Sequence, residues 1–302
     1  MSAADGPLPV REAGDLAAPA EATGWRLVVR DLLRDPAAVG ALVVLLVLVL
    51  AAVLGGVLAP YGANEVDVQE RLQAPSGAHP FGTDELGRDV LSRVLLGAAA
   101  SLRVGLVAVG IALVAGVLCG LVAGYYGRWV DDVVMRVMDV LFAFPAILLA
   151  IAVLAVLGPG TTNAMVAIGV VYTPIFARVT RASVLSVREE VFVRASRSAG
   201  ASDVRILGLH VLPNVAGPII VQTSISLAFA ILSEAALSFI GLGTQPPEPS
   251  WGRMLVEGRG FIEQAWWMAL FPGLAIFLVV LAFNVLGDRL RDVLDPRSRS
   301  RA

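Results

Sequence analysis

The sequence predicts an all-α, polytopic membrane protein with six transmembrane helices and both termini in the cytoplasm. Hydrophobic residues make up 57% of the 302 and charged residues only 16%, more apolar surface than a water-soluble domain can hide. Six apolar runs are long enough, or nearly so, to cross a hydrocarbon core about 30 Å thick. The basic residues, 23 in all and every one an arginine, divide unevenly between the two faces those runs define.

The first 24 residues, rich in Ala, Gly, Pro, Asp and Glu, cannot bury a core and are expected to be disordered; they are too polar for a signal peptide. From Trp25 to Arg34, the apolar Trp25, Leu27, Val28, Leu32 and Leu33 alternate with arginines, which suits an interfacial helix closing a cytoplasmic tail, 1–36. The expected spans are 37–58, 101–125, 137–157, 161–177, 219–240 and 266–286. Residues 59–100 form an extracytoplasmic loop, 101–286 the five-helix core with a cytoplasmic loop at 178–217, and 287–302 a cytoplasmic tail. The fourth run is the weakest, because it is short and Pro174 interrupts it; a re-entrant segment is the alternative there. Pro145 and Pro174 each remove a backbone donor and predict kinks in the third and fourth spans.

Seventeen arginines fall on the face of the two termini, six of them (Arg178, Arg181, Arg188, Arg194, Arg197 and Arg205) in or beside loop 178–217. Six fall on the other face. That bias places both termini inside. The net charge of -2 says little about partners, because the charges are segregated by side, and no nucleic-acid face is implied. Cys119, the single cysteine, lies in an apolar run and reads as a small packing residue, which excludes disulfides within the chain. His79 and His210 fall on opposite sides and cannot share a metal. The serines lack a neighbouring His and Asp arrangement. No catalytic residue, metal or cofactor is therefore expected, and the chain is not read as an enzyme.

Within the spans, Gly116, Gly120 and Gly124 recur at every fourth position and lay a flat strip on one helix face, where a neighbour can approach closely. Glu234 is an acid deep in the fifth span. Such a carboxylate costs on the order of 3 kcal/mol at the bilayer centre, so it must face protein or water. With no His or Lys partner in the membrane, a hydrogen bond to a neighbouring helix is the expectation and a proton relay the alternative. Asp139 lies near a cytoplasmic span end, where it can reach the interface.

Loop 178–217 carries helix punctuation. Residues 187–199 lack proline and glycine, Gly200 stands where a helix ends, Ser202 can cap a second short helix with Asp203 in its first turn, and Pro213 closes the unit after Leu212. Two short helices meeting at a glycine make a polar elbow. Small residues at Ala195, Ser196, Ala199, Gly200 and Ala201 let a partner approach, and Arg194 supplies pairing charge.

At these residues the chain resembles the binding-protein-dependent ABC transporter permeases, specifically the C-type permeases of dipeptide and oligopeptide importers. Their cytoplasmic motif is a Glu-Ala-Ala triplet, three residues, a glycine, then a hydrophobic residue before Leu-Pro. Here it is matched by Arg194-Ala195-Ser196, Gly200 and Val211-Leu212-Pro213-Asn214. Arg194 stands in place of the acid and Ser196 in place of the second alanine. His79 to Arg93 is similar to the segment before the second span in peptide permeases, and Glu234 to Gly243 with Gln245 to Gly252 looks like their late motif. The resemblance covers about 25–291.

The resemblance implies a MetI-like importer permease fold and a transport subunit for peptide-like solutes in the inner membrane. It further implies a second permease subunit, two cytoplasmic ATP-binding subunits and an extracytoplasmic substrate-binding protein. It places the ATPase contact at Arg194, Ala195, Ser196, Ala199, Gly200, Ala201 and Asp203. Segments 81–93 and 245–267 would face the binding protein; there Pro246, Pro247 and Pro249 stiffen the chain and Trp266 with Trp267 fits an aromatic belt. Chemistry agrees that energy comes from outside, since a phosphate-binding P-loop needs a lysine and this chain has none. Nickel complexes or other solutes, a secondary transporter and a non-transporting scaffold stay open as alternatives.

Overall fold

The computed structural model describes residues 25–294, so the expected disorder of the first 24 lies outside the described residues. Helix α1 (Trp25–Arg34) turns at Asp35 into α2 (Pro36–Leu58). Asp35 caps α2 by accepting from the N–H groups of Ala37 and Ala38, and Pro36 occupies the first turn, where a missing donor costs nothing. Then follow α3 (Val90–Tyr126), α4 (Arg128–Phe142), α5 (Ala146–Leu157), α6 (Thr161–Val187), α7 (Val191–Ser198), α8 (Asp203–Ile206), α9 (Leu212–Phe239), α10 (Trp251–Arg259) and α11 (Trp267–Leu294). No strand occurs among the described residues, only an isolated bridge between Thr83 and Asp89.

Helices α2, α3, α6, α11 and the continuous stretch Asp203–Phe239 are each long and apolar enough to span a membrane. The pair α4 and α5, bent by 93° at the break, is together apolar enough to count as a sixth span or a re-entrant loop. The weak point therefore lies in the third run, not the fourth. The two prolines differ in their surroundings. Pro174 is buried in the middle of α6, which runs on unbroken to Val187. Around Pro145, residues 142–148 are all exposed, so no packing holds the helix straight against the missing donor and the restricted Phe144. A second difference is that α3 begins at Val90, where Asp89 caps it, rather than at 101. Sequence reading started the span late because Arg93 and Arg103 interrupt this stretch; Ser92 and Arg93 are bonded to loop residues Tyr61 and Ala63.

The core is the α3–α6 pair, the most extensive helix contact in the chain, with α9 against both. The glycine strip faces α6. A Cβ on Gly116 would lie 2.5 Å from Phe176 Cβ, one on Gly120 2.5 Å from Ala177 O, and one on Gly124 2.8 Å from Val184 Cβ. Gly169 of α6 returns the contact, since a Cβ there would meet Ile111 at 2.8 Å. Backbone contact of this closeness gains dispersion energy where no hydrophobic effect acts between helices. By contrast, α2 has few buried residues, namely Ala38, Ala41 and Gly55. Helix α1 does not present its whole apolar face to a membrane surface: Val28 and Leu32 are buried against Leu286, Leu290, Val293 and Leu294 of α11, and Arg289 pairs with Asp35 at 3.3 Å.

Candidate coupling site

The elbow follows α6 directly. Helix α7 ends in a Schellman turn: Gly200, at φ +82°, donates to Arg197 O (3.0 Å), and Ala201 donates to Ser196 O (3.1 Å). Only a residue free to adopt the left-handed region closes such a turn cheaply. Ser202 stands at the cap of α8 with extended backbone, although its hydroxyl makes no capping bond. Pro213 does not close the unit. Residues 203–239 run on as one 37-residue helix through a π turn at Leu207–Val211, where Leu212 N–H reaches back to Leu207 O. That wider turn gives the proline ring the room an α turn would deny it.

Val193 and Ile206 anchor the two arms of the elbow, fully buried in the cluster that includes Tyr125, Val184, Val211 and Val215. Tyr125 OH donates to Asp203 Oδ1 at 2.7 Å, and the Arg197 guanidinium lies 5.3 Å above the Tyr125 ring. Arg188 Nη1 donates to Gly124 O at 2.7 Å, fastening the end of α6 to that of α3.

The expected contact residues separate into two groups. Arg194, Ala195, Ala199 and Gly200 are exposed on the outer side of the elbow, and nothing lies within 4 Å of a Cβ placed on Gly200. Ala201 instead packs on the core, the Asp203 carboxylate is engaged by Tyr125, and the Ser196 hydroxyl bonds back to Phe192 O. Leu212 and Pro213 are exposed at the foot of α9. Sequence reading passed over Val191 and Val204, which are 71% and 80% exposed on the same knob. The available signal was that both are β-branched apolar residues in an otherwise polar loop.

At the opposite end, loop 59–89 folds with α10 and the start of α11 into a cap. Arg93, 1% exposed, donates to Glu257 Oε2 (2.9 Å) and Ala63 O (2.9 Å); Arg88 donates to the same Glu257 oxygen (3.1 Å) and to Asp84. Burial pushes the Glu85 carboxyl above the usual carboxylate range, against a backbone hydrogen bond, while the charges of Asp84 and Glu257 add to the rise. His79 stacks on Tyr61 and lies between Asp89 Oδ1 (2.9 Å) and Glu70 Oε2 (2.8 Å). Burial opposes its charged form, but the hydrogen bonds and charges of Asp89 and Glu70 prevail and raise its pKa. Trp267 is buried here, donating to Thr83 O at 3.0 Å, so only Trp266 of the expected belt pair is outward.

Glu234, 1% exposed, is met by hydroxyls of its own helix, of the following loop and of Ser250 at the cap of α10. Its Oε1 accepts from Ser238 Oγ on its own helix (2.7 Å) and from Thr244 Oγ1 in the following loop (3.3 Å). The loop in turn touches the start of α6 through Gly160 N–H to Leu242 O, at 3.1 Å. His210 lies in the π turn and His79 in the cap, at opposite ends of α9 and α3. Cys119 is partly exposed on α3, and Asp139 pairs with Arg178 at 2.7 Å.

Residues 116–300 match the family described as binding-protein-dependent transport system inner membrane component, and residues 23–75 match the N-terminal TM domain of oligopeptide transport permease C. The chain is 47% identical over 276 residues to the dipeptide transport system permease protein DppC of Alkalihalophilus pseudofirmus, covering 91% of each. It is 46% identical to the glutathione transport system permease protein GsiD of Pectobacterium atrosepticum (92% of this chain, 93% of that one). It is also 46% identical to the di/tripeptide transport system permease protein DppC of Pseudomonas aeruginosa (88% and 89%). Among solved structures it resembles an inward-facing form of the MetNI methionine ABC transporter, with TM-score 0.53 and 21% identity over 67% of this chain and 96% of that one. A profile match over more than half the chain, close relatives along nearly all of it and a shared helical fold identify the chain as a member of the binding-protein-dependent transport system inner membrane component family, the multi-pass inner-membrane permeases of ABC importers.

Proposed function

We propose that this permease carries di- and oligopeptides, or a closely related peptide such as glutathione, into the cell, driven by ATP hydrolysis in separate subunits that dock on the elbow. The names of its relatives support the peptide class. The arginine bias supports a cytoplasmic side for the elbow and both termini. One observation carries the docking: α8 is the first turn of the same helix that becomes α9, so a push on the elbow is delivered to a membrane-crossing rod without an intervening joint. Two ATP-binding subunits would grip this chain and a second permease, with the pathway between them. The cap built from 59–93 and 245–268 would receive the binding protein.

The test exploits the open space at Gly200. Gly200→Trp adds bulk where this chain has no atoms, and Gly200→Asn keeps a residue that tolerates the left-handed region. In the assembled complex, the Trp variant should insert normally yet lose co-purifying ATPase and peptide uptake, while the Asn variant keeps both. Unimpaired uptake by Gly200→Trp sinks the docking assignment.

A further inference from the structure

Helix α4 is held by charge rather than by packing. Of its 15 residues only Met138 is buried, and Val133, Val137 and Val140 stand exposed. Its attachment to the bundle comes from the end of α3, which it follows directly, and from α6, which supplies the ion pairs. Arg181 forks onto Asp131, Nε to Oδ1 and Nη2 to Oδ2. One turn earlier, Arg178 Nη2 donates to Asp139 Oδ1 at 2.7 Å, and its guanidinium sits 4.1 Å over the ring of Phe142, the last residue of α4.

The spacing of these ties matters. Asp131 and Asp139 are about 12 Å apart along α4, whereas Arg178 and Arg181 are about 4.5 Å apart along α6. The arginine side chains therefore splay apart to reach both aspartates. A single tie would be a pivot; two, so separated, fix the angle as well. Beyond Phe142 the attachment changes. Ala143 to Leu148 are exposed, Pro145 contributes no N–H, and α5 packs through Ala150 and Leu154 into the main core. Helix α4 is thus bonded to α6 through ion pairs and its continuation α5 to α6 through apolar packing, with a 93° joint between them.

We propose that the Asp131–Arg181 and Asp139–Arg178 pairs are positioning residues that make α4 follow the elbow, so that each docking movement is converted into bending at Ala143–Pro145. This rests on the elbow being the ATPase contact. Ionisable residues in a membrane-associated segment mark function when their partners face each other, and the forked Arg181–Asp131 geometry transmits direction as well as force.

The test uses the full complex in liposomes with its partner permease, ATPase subunits and binding protein. Asp131→Asn and Arg181→Gln should each retain co-purifying ATPase and basal ATP hydrolysis while peptide uptake per ATP falls about tenfold. The exchanged pair, Asp131→Arg with Arg181→Asp, should recover it. Unchanged uptake per ATP in the single variants, or an exchanged pair as poor as either, overturns the proposal. Independently of those variants, nitroxide pairs in a Cys119→Ser background report on the native contacts. Nucleotide should leave the Val133–Val191 distance constant and alter Val133–Val156; a change in the first as large as in the second is equally fatal. Gly200→Trp reads out separately, since it tests ATPase association, which the α4 variants keep.

Discussion

The phenol of Tyr125, in the last turn of α3, donates to the carboxylate of Asp203, the first residue of α8, across 2.7 Å and 78 residues of sequence. The bond ties the tip of the central helix to the start of the rod that becomes α9, and Arg197 on the other arm of the elbow covers the same ring. Three elements thus meet on one buried aromatic side chain.

Tyr125→Phe keeps the ring and the cation–π contact and removes only the donor. It should cost about 1 kcal/mol, because Asp203 remains near enough to solvent to be rehydrated. Thermal unfolding in detergent measures the loss. Proteolysis in the 199–202 turn should accelerate in parallel; unchanged nicking there would show that the elbow is held without this bond.

The glycine strip predicts a position-dependent penalty. A Cβ at Gly120 would lie 2.5 Å from Ala177 O and 2.6 Å from Thr180 Cβ, and the carbonyl cannot rotate away. Gly120→Val should separate α3 from α6 at a cost of about 1–3 kcal/mol. Gly110→Ala, on the same helix with nothing within 4 Å, should be neutral or slightly stabilising. Equal midpoints for the two variants in thermal unfolding would remove the close-packing explanation.

The cap carries a pH dependence of defined sign. Because Asp89 and Glu70 raise the folded-state pKa of His79, its proton is bound more tightly folded than unfolded. The resulting stabilisation is complete below the unfolded value of about 6.5 and is lost as pH rises through the higher folded value. His79→Phe preserves the stack on Tyr61 but neither hydrogen bond. Wild type should exceed it by about 1.5–3 kcal/mol in acid, the range for bonds to charged groups, with the gap shrinking towards alkaline pH. A gap that widens with pH would contradict the assignment.

Glu234 is expected to act through its acceptor oxygen. Glu234→Gln retains a carbonyl for Ser238 and Thr244 and should be mild. Glu234→Leu strands both hydroxyls against an apolar side chain and should cost about 1–3 kcal/mol, loosening loop 240–250. Hydrogen exchange at Thr244, whose N–H bonds Ser238 Oγ at 3.0 Å, distinguishes the two.

Much of this was legible in the sequence wherever a property is local. Apolar length marks the spans, and Gly200 marks the elbow because a left-handed turn demands that residue type. What depended on surroundings was not legible. Pro145 and Pro174 carry the same chemistry, yet one lies beside a right-angle break and the other inside an unbroken helix, because only the second is enclosed. The cap could not be foreseen, since Arg93 and Glu257 are 164 residues apart. Helix α4 escaped notice because hydropathy discards residues 128–136, whose arginine and aspartates give the helix its charged face. Glu234 was expected to bond to a neighbouring helix; that Ser238, Thr244 and the α10 cap residue Ser250 would gather on it was not legible, because they meet only in the fold.

The uninterrupted run from Asp203 to Phe239 has a consequence for leverage. At 37 residues it is about 55 Å long, more than the full thickness of a bilayer. The elbow rides on one end and the Glu234 cluster on the other, so a tilt of this rod about its middle carries the two clusters in opposite directions.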